Sequence, residues 1–457
     1  MKKNQRWIAF VMLAVFMLSI SSAQAESTLK LNGVNTQFLG DFSQHHTDVK
    51  LNEEDYKYYA TTGEIVSDLL LGAFDYDVFE MSNAFIDYRM IMEKGYCLDI
   101  SSSEIIQNAI QQLHPVFAEQ CVVDGKIFTM PHCMQMNYMA ISSEALEQAG
   151  IKNVERPTTF PEFLDFLEMW IAYLQENPDC EVAMLCMGHW GDPSWYYPDS
   201  YTSFLVEQLL LNYMMQKEYA GETISFDDEE LILLLERCYQ IGQDLYLYDP
   251  AVQVSTSVLQ RVESMIIDDY DFLSLRLHGE QPHLISVYVT LYAANAMTPN
   301  PELCIELMEA MCINNWPIYN TYFYKNSEPL LDPQYDNRVE QMQSMIQNTQ
   351  YQLGNDNLDA AYRAELEFRL ERQQANLQKL LENDEERYLV STDELEQFCA
   401  YVDCMYVQMP GLFHANDVEN AQAFQQLKKR FSTGQMSAVE LVKELNRMAW
   451  MIEMEGK

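Results

Sequence analysis

The sequence predicts an α/β protein built as two lobes, and three observations predict it. Strand-like and helix-like segments alternate from Leu29 to about Leu98. The stretch Gly125 to Gly150 reads as strand, crossing segment, strand and a glycine-stopped helix, the pattern of a chain passing between lobes. About 430 residues follow a predicted leader, more than one hydrophobic core ordinarily holds.

The leader is residues 1–25. Lys2, Lys3 and Arg6 form a positive n-region, residues 8–20 are almost wholly apolar, and Ala23-Gln24-Ala25 fits a small-x-small cleavage site. The expected product is exported. The apolar core is short for a membrane span, and no later run approaches the ~20 residues one needs. Loss of the three basic leader residues takes the formal charge from -41 to -44. Such a surface repels nucleic acid and anionic lipid, so neither is an expected partner. The Cys residues are scattered through apolar segments and read mostly as buried core residues. Cys180 with Cys186 is the pair best placed for a bridge, and none has zinc-site spacing.

Element by element, Thr61 to Leu71 predicts a helix. Asp77 to Met81 predicts a buried strand running into a loop at Ser82-Asn83. Ligands of parallel α/β sheets bind beyond the carboxyl ends of the strands, which makes Ser82 and Asn83 candidate contacts. Asp87 to Lys94 predicts a helix closed by Gly95. Gly125 to Pro131 predicts a short strand ended by proline, and Asn137 to Ile141 a second one. Capping boxes at Thr159, Ser391 and Ser437 mark helix starts, and Ser225 with Asp228 is a weaker version. The β-rich run Leu284 to Leu291 is expected to return to the first sheet and make the first lobe discontinuous. Residues 336–386 carry apolar residues at helical spacing around Gly354-Asn355-Asp356-Asn357 and predict a helical hairpin. The expected division is lobe 1 at 26–136 and 283–330, and lobe 2, mostly helical, at 137–282 and 331–457.

The strongest chemical constellation is aromatic. Trp190, Trp195, Tyr196, Tyr197 and Tyr201 fall in a segment broken by Gly and Pro between Gly188 and Tyr201. Aromatic faces stack on the C–H faces of sugar rings while nearby polar groups meet the hydroxyls; equally, such a group seals a cleft. Trp316 is a second aromatic candidate, better read as core. Catalysis lacks a signature: there is no Gly-x-Ser-x-Gly, no His-Glu-x-x-His and no phosphate-binding glycine loop. His132 and Cys133 are adjacent, so on a strand they point to opposite faces. No enzyme, cofactor or metal is expected.

Taken in order, several segments resemble the extracellular solute-binding proteins of ABC importers, family 1, which mostly bind sugars. Asp75-Tyr76-Asp77-Val78 resembles the family's aspartate-valine strand, and Glu93-Lys94-Gly95 to Ile100 its helix ending in Gly and then Leu-x-(Asp/Glu)-Leu. Gly125-Lys126 to Pro131 resembles Gly-Lys-x-(Tyr/Phe)-x-x-Pro. Pro157 to Phe163 resembles Pro-x-Thr-(Trp/Phe)-x-Glu-(Phe/Leu), and Phe431 to Leu445 the closing helix. Where the family has Tyr-Asn in its second crossing strand, this chain has Ile141-Ser142. The resemblance implies a type II periplasmic-binding-protein fold whose lobes hinge shut on a small ligand. It implies a carbohydrate ligand, ABC permease partners, a monomer, and a secreted or cell-surface location without a lipoprotein cysteine. The ligand contacts expected on this reading are Ser82, Asn83, Tyr138, Trp190, Trp195, Tyr196 and Tyr197. A sensor or peptide-binding module uncoupled from transport is the alternative.

Overall fold

The computed structural model describes residues 27–455, apart from 37–38, 54–55, 153, 186–198, 250–255, 263–269, 274, 278, 315–316, 356–358 and 410–417. The predicted leader and the predicted contacts Trp190, Trp195, Tyr196 and Tyr197 lie outside the described residues, as do Trp316 and Cys186.

The first lobe is built on β1 (Ser27–Asn32), β2 (Val49–Asn52) and β3 (Val78–Ser82), which pair in parallel as expected. Thr61 caps α1 (Thr62–Leu71), accepting a hydrogen bond from the Glu64 amide, and Gly72 in the left-handed region stops it. The long strand β4 (Thr129–Ser142) and the returning strand β8 (Ile285–Ala294) complete this sheet. β8 lies between β3 and β4 and runs antiparallel to both, so the sheet is mixed.

Beyond Asn137 the strand β4 changes partners. It pairs with β8 as far as Asn137 and with β6 (Thr256–Val262) from Tyr138 on. The strands β5 (Val182–Leu185) and β7 (Tyr270–Leu273) join there and make the second lobe's sheet. Around it pack the helices α2 (Phe160–Glu176), α3 (Ser200–Tyr219), α4 (Glu229–Tyr248), α7 (Val418–Ser432) and α8 (Ala438–Glu455). The capping box predicted at Thr159 is formed, and its mate at Ser391 likewise. At α4 the cap is Asp228 itself, whose carboxylate accepts from the Glu230 and Leu231 amides, so the expected Ser225 device is not used.

The sequence predicts a strand that ends at Pro131; the chain instead runs straight through it. Thr290 pairs with Cys133 while Leu291 pairs with Pro131, which leaves His132 as the extra residue of a β-bulge. A proline has no N–H to give to a ladder, and a bulge is where a sheet tolerates one. The preceding Gly-Lys segment is a hairpin between Val122-Val123 and Lys126-Ile127. Its turn residues, Asp124 at φ 50° and Gly125 at φ 76°, are both left-handed, as a type I′ turn requires.

Two cores follow from this topology. The first gathers Leu29, Val78, Phe79, Phe117, Val287, Val289 and Leu291; the second gathers Phe160, Trp170, Leu205, Leu235 and Leu441. Val390, Phe398, Val402 and Met405 belong to the first core. That differs from the expected assignment of the whole of 331–457 to the second lobe. The reason is β9 (Met405–Tyr406), which pairs in parallel with the start of β8 and draws its flanks to the first lobe. The hairpin helices α5 (Tyr335–Leu353) and α6 (Ala360–Glu382) pack on each other, with Thr349 Oγ1 donating to Gln373 Oε1 at 2.9 Å in their seam.

Along β8, β3 and β9 occupy the same side and leave a gap between them. Asn83 fills it. Its amide nitrogen donates to the Val287 carbonyl at 2.9 Å and to the Gln408 carbonyl at 2.8 Å, and its oxygen accepts from the Val289 N–H. The side chain stands in for the missing strand. Substitution Asn83→Leu strands two buried carbonyls and one N–H, at a cost of about 2–4 kcal/mol. Urea denaturation of the variant should show that loss; an unchanged midpoint would refute the bridging role.

Candidate functional site

Strand alternation dictates one wall of a cleft. On β3, Phe79 and Met81 are core residues while Glu80 and Ser82 are only partly buried. On β8, Val287, Val289 and Leu291 go inward and Tyr288 and Thr290 outward. Register sets Glu80 opposite Tyr292 and Ser82 opposite Thr290, and then Thr290 opposite Cys133 and Tyr288 opposite Gln135. The His132 bulge makes this possible. It shifts the phase of β4 by one residue, which turns Cys133 and Gln135 to the cleft and buries Met134 and Met136. The outcome is a polar strip across three strands.

Loops wall the strip. The cleft holds about 410 Å³ and is lined also by Tyr56, Lys57, Tyr58, Phe85 and His132. The loop carrying Tyr56 to Tyr59 is fixed by Asn32, which is buried: its amide donates to the Lys57 carbonyl at 3.0 Å and its oxygen accepts from the Lys57 N–H at 2.8 Å. Lys57 Nζ is engaged by Asp68 and lies 4.8 Å from the centre of the Tyr59 ring. Tyr59 donates to the same carboxylate at 2.8 Å. With its loop so held, Tyr58 meets Phe85 edge to face at 5.4 Å. Tyr56, Tyr58 and Phe85 remain 55%, 54% and 44% exposed, an aromatic rim over a polar floor.

Glu80 is the acidic group of that floor. Burial raises its carboxyl above the usual range, and Tyr56, donating at 3.4 Å, draws it partly back. It fits because residue 33 is glycine: a Cβ there would stand 2.2 Å from the Glu80 carboxyl carbon. The backbone at Gly33 is also left-handed, φ 76°.

Of the predicted contacts, Ser82 lines this cleft. Asn83 does not offer its amide to it: the residue is 1% exposed and both amide hydrogens are committed to backbone carbonyls. Tyr138 is the residue at which β4 changes lobes, paired with Val262. Tyr56, Tyr58, Glu80 and Phe85 were not predicted. The available signal was Tyr56-Lys57-Tyr58-Tyr59, three tyrosines in a loop after a strand.

The cleft continues toward the second lobe. Tyr288 lines both it and a smaller cavity of about 70 Å³ whose far side is α3, through Gln208, Leu211, Asn212 and Met215. Asp249 fixes the start of that helix. It accepts from the Met184 N–H at 2.7 Å and from the Tyr201 hydroxyl, and so joins β5 to the first turn of α3.

At the other end of α3, Glu218 and Tyr219 reach the first lobe. Tyr219 meets Tyr406 edge to face at 5.9 Å, beside a second cleft lined by Arg89, Glu119 and Asp403. Burial pushes the Glu218 carboxyl up to about 7; the Gln408 side chain opposes this and the Asp87 charge adds to it.

Two outcomes follow from this geometry. Gly33→Ala should lower the melting temperature and break the Tyr56–Glu80 contact, seen as a changed tyrosine near-ultraviolet signal; a wild-type spectrum would show that Glu80 is seated otherwise. Glu218 has a folded-state pKa above its unfolded value of about 4.5. Its contribution is therefore present below about pH 4.5 and is lost as pH rises through about 7. Glu218→Gln should gain stability over wild type at pH 7.5 and gain less at pH 5, by urea denaturation. A gain independent of pH would place the titration elsewhere.

No protein-family model and no curated protein matches the chain. Solved structures do. An ABC transporter solute-binding protein of Agrobacterium vitis S4 with bound D-mannitol aligns over 94% of this chain and 97% of its own, at 12% identity and TM-score 0.50. Maltose-bound MalE3 of T. maritima aligns over 94% and 99%, at 13% and 0.50. A protein studied for xylan utilization by Caldanaerobius polysaccharolyticus aligns over 92% and 99%, at 13% and 0.51. Together these matches establish that the chain has the two-lobed α/β fold of sugar-binding ABC solute-binding proteins.

Proposed function

We propose that this protein is an exported receptor that captures a carbohydrate between its lobes and hands it to an ABC importer. One observation carries the reading: an aromatic rim of Tyr56, Tyr58 and Phe85 stands over the polar strip of Glu80, Ser82 and Gln135. A sugar ring needs both, an apolar surface for its C–H faces and fixed polar atoms for its hydroxyls. Proteins of the same fold hold D-mannitol and maltose, which agrees in kind.

In this reading the first lobe supplies the wall just described. The second lobe brings Trp190, Trp195, Tyr196 and Tyr197, and Tyr138 stands at the crossing. The lobes close because a ligand touching both binds the closed state better than the open one. The receptor works as a monomer outside the cell and meets the permease subunits there. Among the described residues no helix is long and apolar enough to cross a membrane.

A thermal-shift screen against mono- and oligosaccharides tests this. Ligand at 100 times Kd adds about 2.7 kcal/mol of stability, a shift of a few degrees. Tyr56→Ala and Tyr58→Ala should each weaken the affinity about 10-fold, and Trp190→Ala and Trp195→Ala likewise. If no carbohydrate moves the transition while a peptide does, the protein is a peptide receptor instead.

A further inference from the structure

The first-lobe wall carries an uneven charge. Among its described residues the charged side chains are Lys57 and Glu80, with the imidazole of His132 stacked on Tyr292 at 4.3 Å. Lys57 is neutralised locally, since its ammonium is engaged by Asp68. Among the described residues Glu80 has no such cation; the Tyr56 hydroxyl donates to it. The carboxylate therefore stands on the floor of the cleft as an uncompensated acceptor, and residue 33 is glycine where any side chain would displace it.

We propose that Glu80 sets the charge selectivity of the cleft: it holds saccharides free of carboxylate or phosphate and turns away uronates and sugar phosphates. The inference rests on the carbohydrate reading above and adds the class of sugar. A carboxylate has only acceptor sites, so it asks the ligand for donors, and neighbouring hydroxyls supply two. A ligand anion brought to the same floor meets a like charge at close range. The partly desolvated setting that raises the Glu80 carboxyl also strengthens that repulsion. The formal charge of -41 over the whole chain adds to it at long range.

The test compares matched ligands. Affinities of the full mature chain are measured by calorimetry for neutral gluco-, xylo-, manno- and galacto-oligosaccharides. Uronate-bearing counterparts of equal length are run beside them, with glucose against glucose 6-phosphate. The neutral member should bind at least about 10-fold more tightly, the scale of a like-charge contact across a partly desolvated site. In Glu80→Gln, which keeps shape and removes charge, that gap should close; in Glu80→Asp it should persist. Equal affinity for both members in the wild type overturns the charge selectivity and leaves the carbohydrate reading standing. A gap unchanged in Glu80→Gln, with a wild-type melting curve, overturns the assignment to Glu80. Binding of no saccharide of either kind overturns both readings.

Discussion

The backbone ladder of the strand Thr129–Ser142 is the interaction on which the rest depends. Its first half is bonded to the returning strand of one lobe, and its second half to two strands of the other. One unbroken strand thus belongs to both sheets, and the change of partner at Tyr138 is where the lobes meet. A strand shared in this way gives the lobes a common frame and leaves few residues at which they pivot. The same strand writes the chemistry of the cleft wall, since its bulge at His132 decides which of its residues see the cleft. Paired without the bulge, the strand would set His132 and Met134 opposite Thr290 and Tyr288, where Cys133 and Gln135 now stand.

Polar side chains acting as pieces of backbone are the second theme. Asn83 completes a ladder between two short strands, Asn32 clamps the aromatic loop, and Asp249 joins Met184 on β5 to Tyr201 at the start of α3. Each is buried, and each satisfies main-chain groups that secondary structure leaves open. Such residues look like ligand contacts in a sequence because they are polar and follow strands. Asn83 is one: polar and just past a strand, it serves the backbone instead. Ser82, its neighbour, faces the cleft because strand alternation puts it on the opposite side from Met81.

Much of the frame is legible in the sequence. Capping boxes at Thr159 and Ser391, the left-handed stop at Gly72 and the Asp124-Gly125 turn are local devices, and local devices survive folding unchanged. The return of the strand near Ile285 to the first sheet was legible from its β-rich composition. The aromatic rim was less so. Tyr56 and Tyr58 are far in sequence from Glu80 and Phe85, and only the parallel pairing of the first three strands brings their loops to one edge. The placement of Met405 and Tyr406 beside the first lobe was hidden for the same reason: a two-residue strand has no periodicity to read.

By itself, then, the sequence determined the local geometry, the alternation of elements and the existence of two cores, because propensity, capping and apolar spacing act over a few residues. Tertiary structure decided the cleft. Which face of each strand meets solvent depends on register, and register here turns on a bulge beside a proline, which cannot donate a hydrogen bond to the ladder. Whether a polar residue serves a ligand or the backbone depends on what lies across from it, and in the case of Asn83 that partner is more than 200 residues away.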